Sequence, residues 1–221
     1  MSLKSICVAW MMAFCLLPLM ASAAAEKEQL HHPAAGSSFA GNLARLVAIR
    51  GFSCQFNQQM TFSDGGDRQY SGELAILKPG HFRWQYLKPY QQLYVGDGQS
   101  IYHYEPDLMQ VEYLSDLEAV NPIVMKLLNG QVPAAEIKVL QRSHDLTHKM
   151  YRFNVQVKDA PQVWLGFSAA GYLLTIERQD LLGNDNLMTL SQCRYVAPDE
   201  SLFNFTPPAG VDLLDLRSDK R

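Results

Sequence analysis

The chain predicts a mainly β fold, a single antiparallel sheet with few and short helices, and three features carry the prediction. Short segments alternate apolar and polar side chains at period two. Turn sequences such as Lys78-Pro79-Gly80, Lys88-Pro89 and Glu105-Pro106-Asp107 cut these segments apart at short intervals. Only two stretches carry a helical pattern, one ending near Gly51 and one over residues 121–128.

The chain has 221 residues and a formal charge of −3. Its N-terminus reads as a secretory signal, with Lys4, an apolar run from Ile6 to Met20, and the small residues Ala21-Ser22-Ala23 as cleavage site; Ala23-Ala24-Ala25 is an alternative. A membrane anchor is the rival reading, but it needs about 20 apolar residues, and this core is shorter. Cys15 lies too early to carry a lipid. The expected organisation is a signal over 1–23 and one domain over 24–221, a length that suits one full core. Mild acidity argues against nucleic-acid binding, which wants clustered Lys and Arg. It leaves room for a protein partner with a basic surface.

Residues 26–37 read as a polar leader. Ser37 or Ser38 caps the first helix, whose Phe39, Leu43, Leu46 and Val47 share a face with Asn42, Arg45 and Arg50 mostly elsewhere; Gly51 is the expected stop. Phe52, Cys54 and Phe56 then alternate with Ser53, Gln55 and Asn57. Asp64-Gly65-Gly66-Asp67 is a turn, and strands follow at 70–77, 81–86, 91–95, 100–104 and 110–113. Segment 121–128 interrupts them. It opens at Asn121-Pro122, closes at Asn129-Gly130, and has Lys126 as its one charge. Such a helix is either fixed core or a plug lying in an apolar cavity and displaceable from it. Strands resume at 137–141, 149–157, 162–168, 172–178 and 186–195, with Ser143-His144-Asp145, Asp159-Ala160-Pro161, Ala169-Ala170-Gly171 and Gly183-Asn184-Asp185 as connections.

No constellation for catalysis is present: the chain lacks a G-x-S-x-G elbow and any phosphate loop. His144 and His148 sit four apart beside Asp145, but they flank a turn, where that spacing does not converge on a metal. No catalytic residue, metal or cofactor is expected. Cys54 and Cys193 remain after the signal and form either a disulfide or two separate buried thiols. Phe82, Trp84 and Tyr86 share one strand face, and Tyr102 and Tyr104 share another. A curved sheet carrying such side chains on its concave side encloses a core or an apolar cavity, and an apolar cavity with few polar groups fits acyl chains.

Phe52-Ser53-Cys54-Gln55-Phe56-Asn57-Gln58, Gly72-Glu73-Leu74, Lys78-Pro79, Phe82 and Trp84, Gly96-Asp97-Gly98, Tyr104-Glu105-Pro106 and Phe203-x-Phe205-x-Pro207-Pro208-x-Gly210-Val211 follow one another in a set order. In that order they resemble the LolA family of outer-membrane lipoprotein carriers, over nearly the whole chain after the signal. The resemblance implies an incomplete, unclosed barrel with short α-helices covering an apolar cavity. It implies a monomeric periplasmic chaperone, not an enzyme, with no nucleic acid among its partners. Such a chaperone takes acylated lipoproteins from an inner-membrane ABC transporter to an outer-membrane receptor of the LolB kind. Phe56, Phe82, Trp84, Tyr86, Tyr102 and Tyr104 would line the acyl-chain cavity, with Phe82 at its mouth. Pro122, Ile123, Val124, Met125, Leu127 and Leu128 would form a lid. Lys78 stands where the family usually has an Arg that bonds the lid, and as a three-donor ammonium without a planar fork it would make a weaker or differently aimed latch. A LolA-like carrier of another lipid or glycolipid is the alternative; a secreted hydrolase is disfavoured by the missing nucleophile.

Overall fold

A computed structural model describes residues 35–114, 122–158 and 160–217, which belong to one compact unit. The signal 1–23, its cleavage site, the leader to residue 34, Asn121 and Asp159 lie outside the described residues.

Helix α1 (Phe39–Ala48) is followed by β1 (Gly51–Thr61), β2 (Asp67–Leu77), β3 (His81–Lys88), β4 (Gln92–Asp97), β5 (Ile101–Glu105) and β6 (Gln110–Leu114). Helix α2 (Pro122–Leu128) leads to β7 (Ile137–Asp145), β8 (Met150–Val157), β9 (Gln162–Ser168), β10 (Leu173–Gln179), β11 (Asp185–Arg194) and β12 (Asp212–Asp215). All join one sheet in the order β12-β6-β5-β4-β3-β2-β1-β11-β10-β9-β8-β7. β12 and β7 are the outer strands, so the barrel is unclosed, as expected. β12, which the sequence pattern did not suggest, pairs parallel to β6, and β7 runs four residues further than expected, leaving the turn to residues 146–149.

Strand register fixes what faces inward. Phe56 lies opposite Gly72, Gly72 opposite Tyr86, Leu74 opposite Trp84 and Trp84 opposite Tyr94. Phe56 is edge-on to both Trp84 (5.8 Å) and Tyr86 (5.2 Å). Glycines make room for these rings: a Cβ on Gly72 would lie 1.9 Å from the Gln85 carbonyl oxygen and 2.8 Å from the Phe56 ring, and one on Gly96 would lie 2.2 Å from the Phe82 ring. The other half of the inner face carries Phe153, Val155, Leu165, Phe167, Ile176 and Met188, in the same core as both helices.

Helix α1 is held at several points. Ser38 caps it by accepting from the Gly41 amide, Phe39 packs on Phe153 (5.4 Å), and Arg45 lies over the Tyr172 ring (5.2 Å). Two expectations fail here. Asn42 is fully buried, because its amide donates to the Gly36 carbonyl (2.9 Å), while Val47 is 46% exposed. Gly51 is also not the stop; Ile49 is already extended and Gly51 opens β1. Cys54 and Cys193 form a disulfide, tying β1 to β11 across the seam between the two halves of the sheet. Of the two readings left open by the sequence, the structure has the bridge.

Two outcomes test this packing. Gly96→Ala should destabilise the protein by about 1–3 kcal/mol, the usual cost of overpacking, as read by denaturant unfolding. The bridge closes a loop of 139 residues in sequence separation; replacing both cysteines by serine should cost about 2–5 kcal/mol in the same assay.

Candidate functional site

The most apolar helical segment of the described chain, α2, sits inside the sheet. Ile123, Val124, Met125, Leu127 and Leu128 are all buried and only Lys126 turns outward; Pro122 opens the helix, and its side chain lies outside the described ones. The helix ends as its sequence suggests. Gly130 takes φ +67°, its N–H donates to the Leu127 carbonyl, and the Gln131 N–H donates to the Lys126 carbonyl, which is the paired closure of a helix on a left-handed residue.

Two clefts flank α2. One, of about 260 Å³, lies between Trp84, Tyr86, Tyr94, Val124, Ile176 and Met188, with Gln58 and Asn186 at its polar side. The other, of about 530 Å³, lies between α2 and β8, against Ile123, Val132, Val157, Ala160 and Pro161. The inner face of the sheet is therefore covered by α1 and α2, with clefts left beside α2. Tyr86 donates its hydroxyl to the Gln58 side-chain oxygen (3.1 Å). Burial pushes the Tyr86 and Tyr94 hydroxyls up, Tyr94 to about 12 with the Glu105 and Glu112 carboxylates adding to the effect. Both stay neutral hydrogen-bonding groups at any ordinary pH.

The structure brings Phe56, Phe82, Trp84 and Tyr86 together on the inner face and corrects the placement of Tyr102 and Tyr104. Tyr102 pairs with Val95 and Tyr104 with Leu93, on the opposite face of the sheet from Trp84 and Tyr94. There they pack against Phe205 at 5.4 and 5.9 Å, with Tyr113 beside Tyr102. Nearby on that outer face Phe203, fully buried, covers Ala75 and Leu77. The chain after β11 is thus a strap over the back of the sheet, and these tyrosines anchor it.

In their place the inner face carries two residues that the sequence reading did not assign to it. Tyr94 stacks on His103 at 4.1 Å with the rings nearly parallel. His103 Nδ1 lies 2.9 Å from Glu112 and its Nε2 lies 3.5 Å from Glu105. The signal was the turn at Asp97, whose carboxylate accepts the Gln99 and Ser100 amides. That turn sets Tyr94 opposite His103, so the inward positions change from even numbers in β4 to odd numbers in β5.

Lys78 also differs from expectation. Its ammonium donates to the Leu46 carbonyl in the last turn of α1, not to a carbonyl of α2. Burial lowers its pKa. A cation at a helix C-terminus meets orphan carbonyls and the negative end of the dipole, so Lys78 clasps α1 to the β2–β3 corner. His144 lies in β7 stacked on Tyr151 and His148 binds Asp145 (2.8 Å). Among the described residues no group of three or more His, Cys, Asp or Glu side chains is placed to hold a metal.

Comparisons with known proteins agree with this architecture. The sequence matches the family described as "Outer membrane lipoprotein carrier protein LolA" over residues 48–206. An outer-membrane lipoprotein carrier protein from Chromobacterium violaceum is 33% identical, the match covering 90% of this chain and 97% of that protein. One from Dechloromonas aromatica is also 33% identical, covering 91% and 92%. Among solved structures, an uncharacterized conserved protein from Thermus thermophilus superposes with a TM-score of 0.53 at 10% identity, covering 80% of this chain and 99% of that one; that likeness concerns the fold alone.

The Lys78 contact makes a specific expectation. Lys78→Met should loosen α1 by about 1 kcal/mol, the worth of one hydrogen bond and a helix-end charge. Hydrogen exchange should quicken over residues 42–49 and stay unchanged over 123–127.

Proposed function

The chain belongs to the LolA family of outer-membrane lipoprotein carrier proteins, and from that membership we propose that it is a periplasmic chaperone for acylated lipoproteins. In this reading it accepts them from an inner-membrane ABC transporter, shields their acyl chains on the inner face of the sheet, and delivers them to an outer-membrane receptor of the LolB kind. It works as a monomer and without catalysis. The observation that carries the proposal is the seating of α2, an apolar helix between two clefts.

The physical argument is one of exchange. An acyl chain leaving a membrane needs apolar surface, and each methylene buried contributes about 0.8 kcal/mol. A rigid empty cup would hold several chains too tightly to release them. Here α2 already fills the cup with five buried side chains, so cargo gains only the difference between its own burial and that of α2. Binding and release then run close to balance, and a partner that favours one state shifts the equilibrium. Phe56, Trp84 and Tyr86 form the wall that stays. Ile123, Val124, Met125, Leu127 and Leu128 form the part that moves.

Three measurements test the proposal. Protein recovered from the periplasm should carry triacylated lipoprotein, identified by mass spectrometry; a different lipid in its place would favour the alternative cargo. Trp84→Glu should lower lipoprotein capture at least tenfold, since a buried unpaired charge is costly; a folded variant with normal capture would remove Trp84 from the site. Hydrogen exchange over residues 123–128 should accelerate when cargo is bound. Equal protection with and without cargo would mark α2 as fixed core.

A further inference from the structure

Arg178 is the one described residue common to the linings of both clefts. It lies on β10 opposite Asn186, two positions beyond the buried Ile176 and on the same face. Its Nε is buried and has no hydrogen-bond partner among the described residues. Glu177, beside it in sequence, bonds Arg152, and Asp180 just past the strand spends its carboxylate on the Leu182 and Asn184 amides and on the Asn184 side chain. In the larger cleft, Lys126 and Lys158 lie with Arg178 against a single carboxylate, Glu136. The bed beneath these charges is apolar.

A buried N–H without an acceptor is costly unless a ligand supplies one. Guanidinium presents donors in a planar fork that matches the two oxygens of a carboxylate or phosphate. An apolar groove with such a fork at its edge has the chemistry of a site for an anionic amphiphile. We propose that Arg178 binds the anionic head group of a single-chain or phospholipid-like acyl ligand whose chain lies along α2, with Lys126 and Lys158 adding attraction from the rim. The inference rests on the carrier reading of these clefts and deepens it. It adds a head-group preference to a site otherwise selective only for apolar chains, so that anionic membrane lipids or fatty acids would occupy the clefts beside α2 and compete with cargo that enters there.

The test uses the purified chain and three probes of equal chain length: dodecyl phosphate and dodecanoate below their micelle concentrations and dodecanol below its solubility limit, measured by isothermal titration calorimetry. The unsubstituted protein should bind at least one anionic probe ten times more tightly than dodecanol. Phosphate preferred over carboxylate would point to a phospholipid head, and the reverse to a fatty acid; either supports the site. Arg178→Met should lower the ratio of anionic to neutral affinity at least fivefold, and Arg178→Lys should retain part of it. Equal binding of all three probes by the unsubstituted protein, or a ratio undiminished in Arg178→Met, would overturn the head-group site while leaving the carrier reading in place. No binding of any probe would overturn both.

Discussion

A sheet that curves without closing must fill its own inner face, and most of this structure follows from that constraint. In a β-sandwich a second sheet supplies the facing layer. Here the facing layer is two short helices, Phe39–Ala48 and Pro122–Leu128, which are too small to cover twelve strands with aliphatic side chains alone. The strands therefore carry the bulk themselves. Phe56, Phe82, Trp84 and Tyr86 stand inward, and glycines at positions 72 and 96 lie directly opposite Phe56 and Phe82 in the register. A side chain at either glycine would strike a ring. Ring and gap are one device, since the aromatic reaches over the neighbouring strand only where that strand has no Cβ.

The two helices are held by different kinds of force. Helix α1 has a capped N-terminus, a buried amide on the Gly36 carbonyl, a cation over Tyr172 and the Lys78 ammonium on its last turn. These contacts are directional and have no substitute in a lipid. The side-chain hydrogen bond described within α2 and its closing turn runs from Asn129 back to Met125, inside its own turn; its described attachment to the sheet is apolar burial. Apolar contact is non-directional and scales with area, so an acyl chain can replace it side chain for side chain. On the proposed carrier reading, the asymmetry assigns α1 to the scaffold and α2 to the part exchanged for cargo.

The strand alternation, the turn chemistry and the closing Gly130 were legible because each depends on neighbours in sequence. So were the inward Phe82, Trp84 and Tyr86, whose shared face follows from alternation within one strand, and Phe56, whose alternation with its own neighbours marks the inward face of β1. Tyr102 and Tyr104 were not, because parity passes from strand to strand only through the turn between them. A turn held by the Asp97 carboxylate reverses which positions face in, and a one-residue change of register moves every side chain to the other face. β12 was hidden for another reason. Its four residues are exposed and carry no alternation that burial would impose, so only long-range pairing with β6 defines it. Asn42 looked like a surface residue because its burial is compensated by one distant acceptor, Gly36, that no periodicity reveals.

A lysine at position 78 fits the clasp that the structure has. The Leu46 carbonyl is an acceptor at a helix C-terminus, where a point charge is enough. The hydrogen bond described for Lys78 is spent on α1, although its ammonium also lies beside Gly130 at the end of α2. The closed state then rests on apolar area, whose strength falls on cooling and responds little to moderate salt. A latch made of ion pairs would behave in the opposite way, weakening with salt by screening. The division of labour is therefore physical as well as spatial: polar contacts fix the scaffold around α1, and in the proposed exchange the energy that cargo must match is the hydrophobic burial of five side chains on α2.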